Sequence, residues 1–282
     1  MVLQGAAWAV SRSLFAEPEV VVTPDGHCDA AAGLAKELDD ARRSGRILER
    51  PFSDRAPLGL PEAYAVQRAL TARRTGRGER IVGWKLGYTS LAMREQMGID
   101  EPNYGPLTDA MMLSSGAALP GGALQPRVEP EIALLLDRRV RPGASIDEVL
   151  ACCSSAHACL EVVDSIWAGY RFTIEDNTAD GSSAGSVVLG AELPLDDLAH
   201  VAVELSVDGR AVASATGAAA NGHPARGVCW LAEQLAADER GLTPGDVVIT
   251  GGLTRAVPIL PGSTITATFS SAWQPVTVAC RR

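Results

Sequence analysis

The stretch Pro126-Arg127-Val128-Glu129-Pro130-Glu131-Ile132-Ala133-Leu134-Leu135-Leu136-Asp137 decides the fold of this 282-residue chain. Its apolar run, bounded by charged residues, predicts a short buried strand. Because side chains alternate along a strand, Glu129 and Glu131 share one face with Ala133 and Leu135. Two carboxylates over an apolar surface repel each other unless a cation lies between them, and Mg²⁺ prefers such oxygen ligands. An exposed strand end with both glutamates in water is the alternative, which the pattern alone leaves open.

Composition narrows the class of protein. The chain is 46% hydrophobic with a formal charge of −9, so it can bury a sizeable core but is a poor partner for nucleic acid or an anionic membrane. Six cysteines without a Cys-x-x-Cys pair predict reduced thiols in a cytoplasmic protein. No run approaches the ~20 apolar residues of a membrane span, and we expect no signal peptide. A small anionic substrate is not excluded, because it responds to local charge.

Three regions follow from the residue pattern along the chain. Residues 1–27 show no clear period and predict a flexible N-terminal extension. Residues 28–80 predict a small helical part, with helices that begin near Asp29 and near Pro61. Residues 81–282 are rich in strand patterns and predict a separate β-rich domain.

The β-rich region also carries local signals for helices, loops and turns. The capping-box pattern that begins at Ser145 predicts a helix of about a dozen residues, and a short helix is expected over residues 91–98. Residues 100–107 and 176–185 are rich in glycine, proline or polar residues and predict loops. Asp208-Gly209 between two strand-like segments predicts a β-hairpin.

Two further segments place charged side chains among apolar ones. Period two puts Lys85 on the strand face opposite Trp84 and Leu86, and the glycines on either side of this lysine suggest close approach of another backbone. Without other evidence, such a lysine is a surface residue. A later apolar strand carries Glu161, which becomes a third candidate metal ligand, and Asp164 lies on the opposite face of that strand.

Taken together, these segments resemble the fumarylacetoacetate hydrolase superfamily, and within it the branch of 2-oxoalkenoate (2-keto-4-pentenoate) hydratases and 4-oxalocrotonate decarboxylases. The marks of the resemblance are, in chain order, Gly83–Ser90, Tyr104–Leu107, Pro126–Ala133, Leu160–Ser165, Gly222–Pro224, Gly245–Val248 and Thr250–Thr254. The resemblance implies an α+β fold, in which a mixed β-sheet is rolled into a partly open barrel behind a small helical N-terminal part. The β-rich domain is then the catalytic domain.

The resemblance also implies a Mg²⁺ or Mn²⁺ ion held by Glu129, Glu131 and Glu161, with Lys85 at the substrate. The hydratases of this branch usually carry Asp where this chain has Asn103, and Asn cannot exchange a proton as Asp does. The Ala-Asp-Asn loop of the family appears here as Ala-Asp-Gly over residues 179–181. The change at position 103 favours decarboxylation over hydration.

The hypothesis is a metal-dependent lyase that acts on a small 2-oxo-alkenoic acid through a metal-stabilised enolate. Decarboxylation of a 2-oxo-3-hexenedioate (4-oxalocrotonate) is preferred. The alternatives are hydration of 2-hydroxypenta-2,4-dienoate, hydrolysis of a C–C bond in an acylpyruvate, and a non-catalytic partner of such an enzyme.

The remaining predictions concern residue roles and assembly. Lys85 and Asn103 are predicted to be catalytic. Substrate contacts are predicted for Ser182, Thr254 and Leu86. Asp164 and Arg127 are predicted to lie next to the metal ligands and to hold them in place without contacting the metal. A homo-oligomer, or a complex with a sister hydratase or decarboxylase, is expected from the resemblance.

Overall fold

The computed structural model describes residues 27–90, 94, 99–237 and 240–281. The α-helices are α1 (His27–Arg43), α2 (Leu60–Thr75), α3 (Ile146–Ala151), α4 (Ile174–Ala179) and α5 (Pro224–Ala237). The strands are β1 (Ile81–Gly87), β2 (Asn103–Thr108), β3 (Met112–Ser114), β4 (Arg127–Leu136), β5 (Cys153–Val163), β6 (Ala184–Leu193), β7 (Ala202–Val207), β8 (Arg210–Thr216), β9 (Val247–Ile249), β10 (Val257–Pro258), β11 (Thr264–Phe269) and β12 (Val276–Ala279). Short 3-10 helices cover Asp109–Met111, Ala168–Tyr170, Leu195–Asp197 and Gly217–Ala219.

Strand β4 lies at the centre of the larger sheet. The strand order is β2-β1-β9-β4-β5-β6-β3, and β10 also pairs with β4. The β1–β9 and β3–β6 pairs are parallel, whereas β4 is antiparallel to its neighbours β5, β9 and β10. The fold is therefore α+β, with a mixed sheet that forms a half-barrel, as predicted. A second sheet, β12-β11-β7-β8, contains the predicted hairpin around Asp208-Gly209.

Alternation along β4 separates the core from the candidate site. Val128, Ile132 and Leu134 are completely buried and join residues of the smaller sheet in the main hydrophobic core. Glu129 and Glu131 take the other face, as the period-two pattern predicted. One strand thus anchors the sheet packing and carries the carboxylates.

A second core attaches the helices to the β-rich part. Leu38 of α1 and Val66 of α2 pack with Ile166 and Trp167, and the Trp167 indole N–H donates to the carbonyl oxygen of Asp176. The domain boundary at residue 80 stays a prediction. The extension was predicted over residues 1–27. Residues 1–26 lie outside the described residues, and residue 27 is the first residue of α1. No helix of the described part is long and apolar enough to cross a membrane, and the cysteines reported for that part are free.

Two local predictions were wrong because longer-range pairing decides the structure. Residues 103–108, predicted largely as loop, form β2, since antiparallel pairing with β1 outweighs the low strand propensity of Gly105 and Pro106. The helix after Ser145 has 6 residues rather than a dozen, because the chain enters β5 at Cys153.

A third local prediction missed a helix. The loop predicted over residues 176–185 contains most of α4. The Thr173 hydroxyl accepts from the Asp176 N–H, and the Asp176 carboxylate accepts from the Thr173 N–H, so a reciprocal cap starts this helix. The Thr-x-x-Asp spacing was the available signal, and the polar composition concealed it. The helix expected over 91–98 lies outside the described residues, except for Arg94.

Gly83 marks a close approach between β1 and β9, and it carries a prediction about stability. A Cβ at this position would overlap with the carbonyl oxygen of Val247, so the strands would have to separate. We expect Gly83→Ala to lower the free energy of unfolding by about 3 kcal/mol. In α1, a Cβ at Gly33 would meet nothing within 4 Å. Gly33→Ala should therefore raise the free energy of unfolding by about 0.5–1 kcal/mol. Urea unfolding measures both, and effects of the same sign would contradict this account.

Candidate metal centre and substrate cavity

Strands β4 and β5 bring three glutamates together. Glu129 and Glu161 face each other directly in the antiparallel register, and Glu131 lies two residues along β4 on the same face. One carboxylate oxygen from each of the three lies within 4.8 Å of the others. Glu131 and Glu161 are at most 1% exposed. The fold therefore gathers the three predicted ligands at one point.

Several oxygens of the buried Glu131 and Glu161 carboxylates accept no hydrogen bond within the described ranges. Glu131 Oε2 accepts a hydrogen bond of 2.7 Å from the Gly251 N–H. Glu131 Oε1 and both oxygens of Glu161 accept no well-directed hydrogen bond from the described residues. Buried oxygens in this state are costly, and a hard divalent cation with oxygen ligands removes the cost. The donor set consequently fits an ion such as Mg²⁺.

Lys85 adds a cation at the same point. Its Nζ lies 2.7 Å from Glu161 Oε1 and donates to the Ser182 carbonyl oxygen at 2.9 Å. Burial alone would lower the pKa of Lys85, but the three glutamates outweigh burial and hold its pKa above the usual value. The amine is therefore charged, and it points away from the core as the strand pattern predicted.

Burial dominates the acidity of the glutamates. Burial, followed by repulsion from Glu161, raises the pKa of Glu129 to about 8, although Lys85 opposes the shift. Burial and then the other two carboxylates raise the pKa of Glu131 well above its ordinary value. A single amine therefore does not compensate the cluster, which leaves a requirement for further positive charge.

A cavity of about 140 Å³ opens beside the carboxylates. Lys85, Glu129, Ser182 and Leu86 border it, all of them predicted site residues. The sequence analysis missed other residues of the wall, which are Gly87, Tyr88, Thr89, Ser90, Val163, Tyr170, Phe172, Asn177, Ser183 and Gly252. Tyr88 and Thr89 stand in the same motif as Lys85, which was the one sequence signal for them.

Backbone strain is concentrated around this cavity. Of the 6 non-glycine residues with positive φ in the described part of the chain, four line the cavity, with φ of 56° at Tyr88, 60° at Tyr170, 57° at Ser182 and 54° at Ser183. A residue with a β-carbon pays about 1–3 kcal/mol for such a conformation, and such residues cluster at binding sites. The strain thus marks the same place as the carboxylates.

Asn103 lies one layer behind the cavity wall. Its Nδ2 donates to Asn177 Oδ1 and Thr178 Oγ1, both at 2.9 Å, and its Oδ1 accepts from the Ser182 hydroxyl at 2.9 Å. It is fully buried and does not border the cavity. The catalytic role of Asn103 stays a prediction, and in this structure Asn103 holds Asn177 and Ser182, which do line the cavity.

Asp164 connects the helical part to the sheet. Its carboxylate accepts from the backbone N–H groups of Leu124 and Gln125 and pairs with Arg42 of α1 at 2.7 Å. These contacts lie on the strand face opposite Glu161. They account for Asp164 as a structural ion pair, away from the carboxylate cluster it was predicted to support.

Thr254 and Arg127 also lie outside the cavity wall. The Thr254 hydroxyl donates to the carbonyl oxygen of Arg255 at 3.2 Å, so it is not placed as the predicted substrate contact. The Arg127 guanidinium lies 4.0 Å from the ring centroid of Tyr170, which does line the cavity. Arg127 therefore reaches the cavity only through this aromatic ring.

Comparison with known proteins assigns the family. Residues 86–276 match the model described as fumarylacetoacetate (FAA) hydrolase C-terminal. The chain belongs to the fumarylacetoacetate hydrolase family. This membership confirms the resemblance seen in the sequence, and it agrees with the half-barrel of mixed strands.

Relatives of this fumarylacetoacetate hydrolase family member are named as lyases. A 2-hydroxyhexa-2,4-dienoate hydratase of Comamonas testosteroni is 35% identical over 235 residues, covering 80% of this chain and 89% of the relative. A 4-oxalocrotonate decarboxylase of a Pseudomonas species is 35% identical over 234 residues, covering 82% of this chain and 91% of the relative. Both fall in the predicted branch.

A solved structure agrees with the fold over nearly its whole length. The 4-oxalocrotonate decarboxylase of Pseudomonas putida G7, complexed with magnesium and adipate, has a TM-score of 0.85 and 29% identity, and the match covers 89% of this chain and 97% of that one. A structural neighbour thus binds a divalent metal together with a dicarboxylate.

Proposed function

We propose that this protein is a metal-dependent lyase that decarboxylates a 2-oxo-3-hexenedioate. The observation that carries the proposal is the convergence of three carboxylates, with unpartnered buried oxygens, on the amine of Lys85 beside a small cavity. The relatives named as hydratases and decarboxylases support a lyase, and the adipate in the related structure supports a six-carbon dicarboxylate.

Mg²⁺ is the proposed ion, with Mn²⁺ as a substitute, and Glu129, Glu131 and Glu161 are its proposed ligands. When bound, such an ion supplies Lewis-acid stabilisation for negative charge on the C2 oxygen of a 2-oxo acid. Three carboxylates and one divalent ion leave a net charge of about −1, which Lys85 neutralises. The neutral site can then accept an anionic substrate.

Lys85 is the proposed proton donor and orienting group. Loss of CO₂ from C6 leaves an electron pair that passes along C5, C4 and C3 to the C2 oxygen, which takes up a proton and gives a 2-hydroxydienoate. The charged amine at the cavity can supply this proton. Its hydrogen bond to the Ser182 carbonyl, together with the bond from the Ser182 hydroxyl to Asn103, fixes the position from which it does so.

Hydration of 2-hydroxypenta-2,4-dienoate is the second candidate, because one relative is named as a hydratase of a closely similar compound. It ranks lower because water addition requires a group that accepts and returns a proton. The Asn103 amide does not do this, and its hydrogen bonds are already made with Asn177, Thr178 and Ser182. An acylpyruvate hydrolase and a non-catalytic partner rank below both, the latter because the lysine and all three glutamates are present.

Turnover measurements separate these functions. Purified protein should release CO₂ from 2-oxo-3-hexenedioate in Mg²⁺, and EDTA should abolish the reaction. Water addition to 2-hydroxypenta-2,4-dienoate without CO₂ release from the first compound would support the hydratase instead. Absence of both reactions in Mg²⁺ and in Mn²⁺ would refute the proposed function.

The oligomeric state and the cellular location are also part of the proposal. We expect a homo-oligomer in the cytoplasm that binds a small anionic 2-oxo acid. Association with a sister hydratase of the same family branch is a further expectation. Light scattering after size exclusion measures the assembly. A monomer at micromolar concentration would contradict the first expectation and leave the site chemistry untouched.

A further inference from the structure

The turn between α4 and β6, residues 180–183, carries the atom that holds Lys85, and we call it the lysine turn. Its Ser182 carbonyl oxygen accepts from Lys85 Nζ at 2.9 Å. Three consecutive residues of the turn have positive φ, 71° at Gly181, 57° at Ser182 and 54° at Ser183. Because two of the three carry a β-carbon, the turn keeps this shape only where surrounding groups fix it.

Strand β2 supports one side of the lysine turn. A Cβ at Gly105 would overlap with the carbonyl oxygen of Gly181, so the backbone of the turn lies directly against the strand. The Ser182 hydroxyl donates to Asn103 Oδ1 on the same strand at 2.9 Å. These contacts fix the distance between the turn and β2.

Arg42 of α1 supports the lysine turn from the helical part of the chain. Its Nη2 lies 3.3 Å from Asp180 Oδ1 and donates to the Asp164 carbonyl oxygen at 2.6 Å, while its Nη1 donates to Asp164 Oδ2 at 2.7 Å. The Asp164 N–H donates to the Ser183 carbonyl oxygen at 2.8 Å. One guanidinium thus contacts the first residue of the turn directly and reaches the last residue through Asp164.

Asp180 depends on that guanidinium because it is a buried carboxylate. Its side chain is 4% exposed, and besides its pairing with Arg42 it accepts from the Ile166 N–H at 3.2 Å. Burial raises the pKa of Asp180 to about 6, and Arg42 opposes the rise. Without the guanidinium the carboxyl must take up a proton or reach water, and either change loosens the start of the turn.

We propose that Arg42 is a positioning residue, which reaches from α1 to the lysine turn and thereby fixes the Ser182 carbonyl oxygen that holds the Lys85 amine. The inference rests on the proposed function, because that function assigns Lys85 to the chemistry. No described residue of α1 borders the cavity, so the helix acts on the site through this ion pair. A displacement of about 1 Å at a reacting group can lower turnover about a hundredfold.

Arg42→Met removes the guanidinium and keeps much of the apolar stem. We expect kcat for 2-oxo-3-hexenedioate to fall about a hundredfold with a smaller change in KM. Affinity for Mn²⁺ should stay within about twofold of wild type, since the three glutamates keep their own contacts. Arg42→Lys keeps the charge without the planar fork and should lower kcat about tenfold. If Arg42→Met does not fold, Arg42→Lys decides the same comparisons.

Arg77→Met is the matched control. Arg77 pairs with the buried Asp39 through two nitrogens at 2.8 Å, and within the described ranges no ion pair or hydrogen bond joins it to the lysine turn. Its loss should destabilise the helical part much as the loss of Arg42 does. We expect its kcat to remain within about twofold of wild type.

Hydrogen exchange read by mass spectrometry reports on the lysine turn without any substrate. The Ser182 N–H donates to the Asn177 carbonyl oxygen, and the Ala184 N–H donates to that of Gly181. Peptides that contain these amides should exchange at least about tenfold faster in Arg42→Met than in wild type. The same peptides in Arg77→Met should exchange as in wild type, and circular dichroism shows whether each variant is folded.

The outcomes separate this inference from the proposed function. Unchanged exchange in the lysine turn of Arg42→Met, or faster exchange with wild-type turnover, would overturn the positioning role and leave the proposed function intact. Equal losses of turnover in Arg42→Met and Arg77→Met would do the same, because a general loss of stability would explain them. No turnover by wild type, together with faster exchange in Arg42→Met, would overturn the proposed function and support the hold of Arg42 on the turn.

Discussion

Replacing Lys85 with methionine should lower turnover of 2-oxo-3-hexenedioate at least a thousandfold. Loss of a positioned proton donor alone costs about 10²–10⁴ in rate, and the site also loses the charge that offsets the three carboxylates. The purified variant in saturating Mg²⁺ provides the measurement. Retention of more than a tenth of the wild-type rate would exclude Lys85 from the chemistry.

Lys85→Met should also lose stability in a way that depends on Mg²⁺, which a lysine with a purely structural role would not show. In EDTA, Lys85→Met leaves buried carboxylates without their cation, so we expect the free energy of unfolding to fall by about 3–5 kcal/mol. Mg²⁺ should restore much of this loss because the ion replaces the missing charge. Lys36→Met is the control, since that side chain is 63% exposed and paired with Asp40. It should change stability by no more than about 0.5 kcal/mol, with or without Mg²⁺.

Glu131→Gln should abolish turnover while the protein remains folded. The amide keeps the size of the side chain and can still accept from the Gly251 N–H, but it removes one of the three anionic ligands. Without divalent ions the variant should be at least as stable as wild type, because the amide is neutral at every pH, whereas burial and the neighbouring carboxylates disfavour the charged form of Glu131 and raise its pKa. Turnover and urea unfolding in EDTA test both halves. Wild-type turnover would remove Glu131 from the site.

Asp164→Asn is the matched control for this substitution. Asp164 is also a buried carboxylate, but it holds Arg42 and two backbone N–H groups on the other strand face. Its replacement should lower stability by about 1–3 kcal/mol, since Arg42 loses one charged partner but keeps its pairing with Asp180. Mg²⁺ should still stabilise this variant as it stabilises wild type, whereas it should not stabilise Glu131→Gln.

Alternation along single strands made the carboxylate cluster predictable. Glu129, Glu131 and Glu161 stand in apolar runs whose period fixes the face on which each side chain lies. The family resemblance then indicated that the two runs pair with these faces aligned. The pairing that sets Glu129 opposite Glu161 depends on how β4 and β5 align in the folded sheet, and neither segment's sequence specifies it alone.

The rest of the cavity could not be predicted because it depends on contacts between distant segments. Lys85 donates to Ser182, 97 positions further along the chain, and no periodicity reports such a contact. Tyr88 and Ser183 reach the cavity through left-handed backbone conformations that period-two reasoning does not anticipate.

The residue type at position 103 makes sense only together with the hydrogen-bond partners around it. The sequence carries an amide at a position where an Asp could exchange a proton, and the structure gives a physical reason for that amide. The Asn103 Nδ2 donates to Asn177 and Thr178 at once, and an aspartate there would set a carboxylate oxygen against Asn177 Oδ1. The residue is therefore matched to its neighbours in this chain.

The central claim is that three glutamates hold one divalent ion beside Lys85. Titration of metal-free protein with Mn²⁺, with free Mn²⁺ counted by electron paramagnetic resonance, tests it most directly. We predict one ion bound per wild-type chain and an affinity at least a hundredfold weaker in Glu131→Gln, with Asp164→Asn unchanged. Equal Mn²⁺ binding by wild type and Glu131→Gln, or no binding by wild type, would contradict the claim.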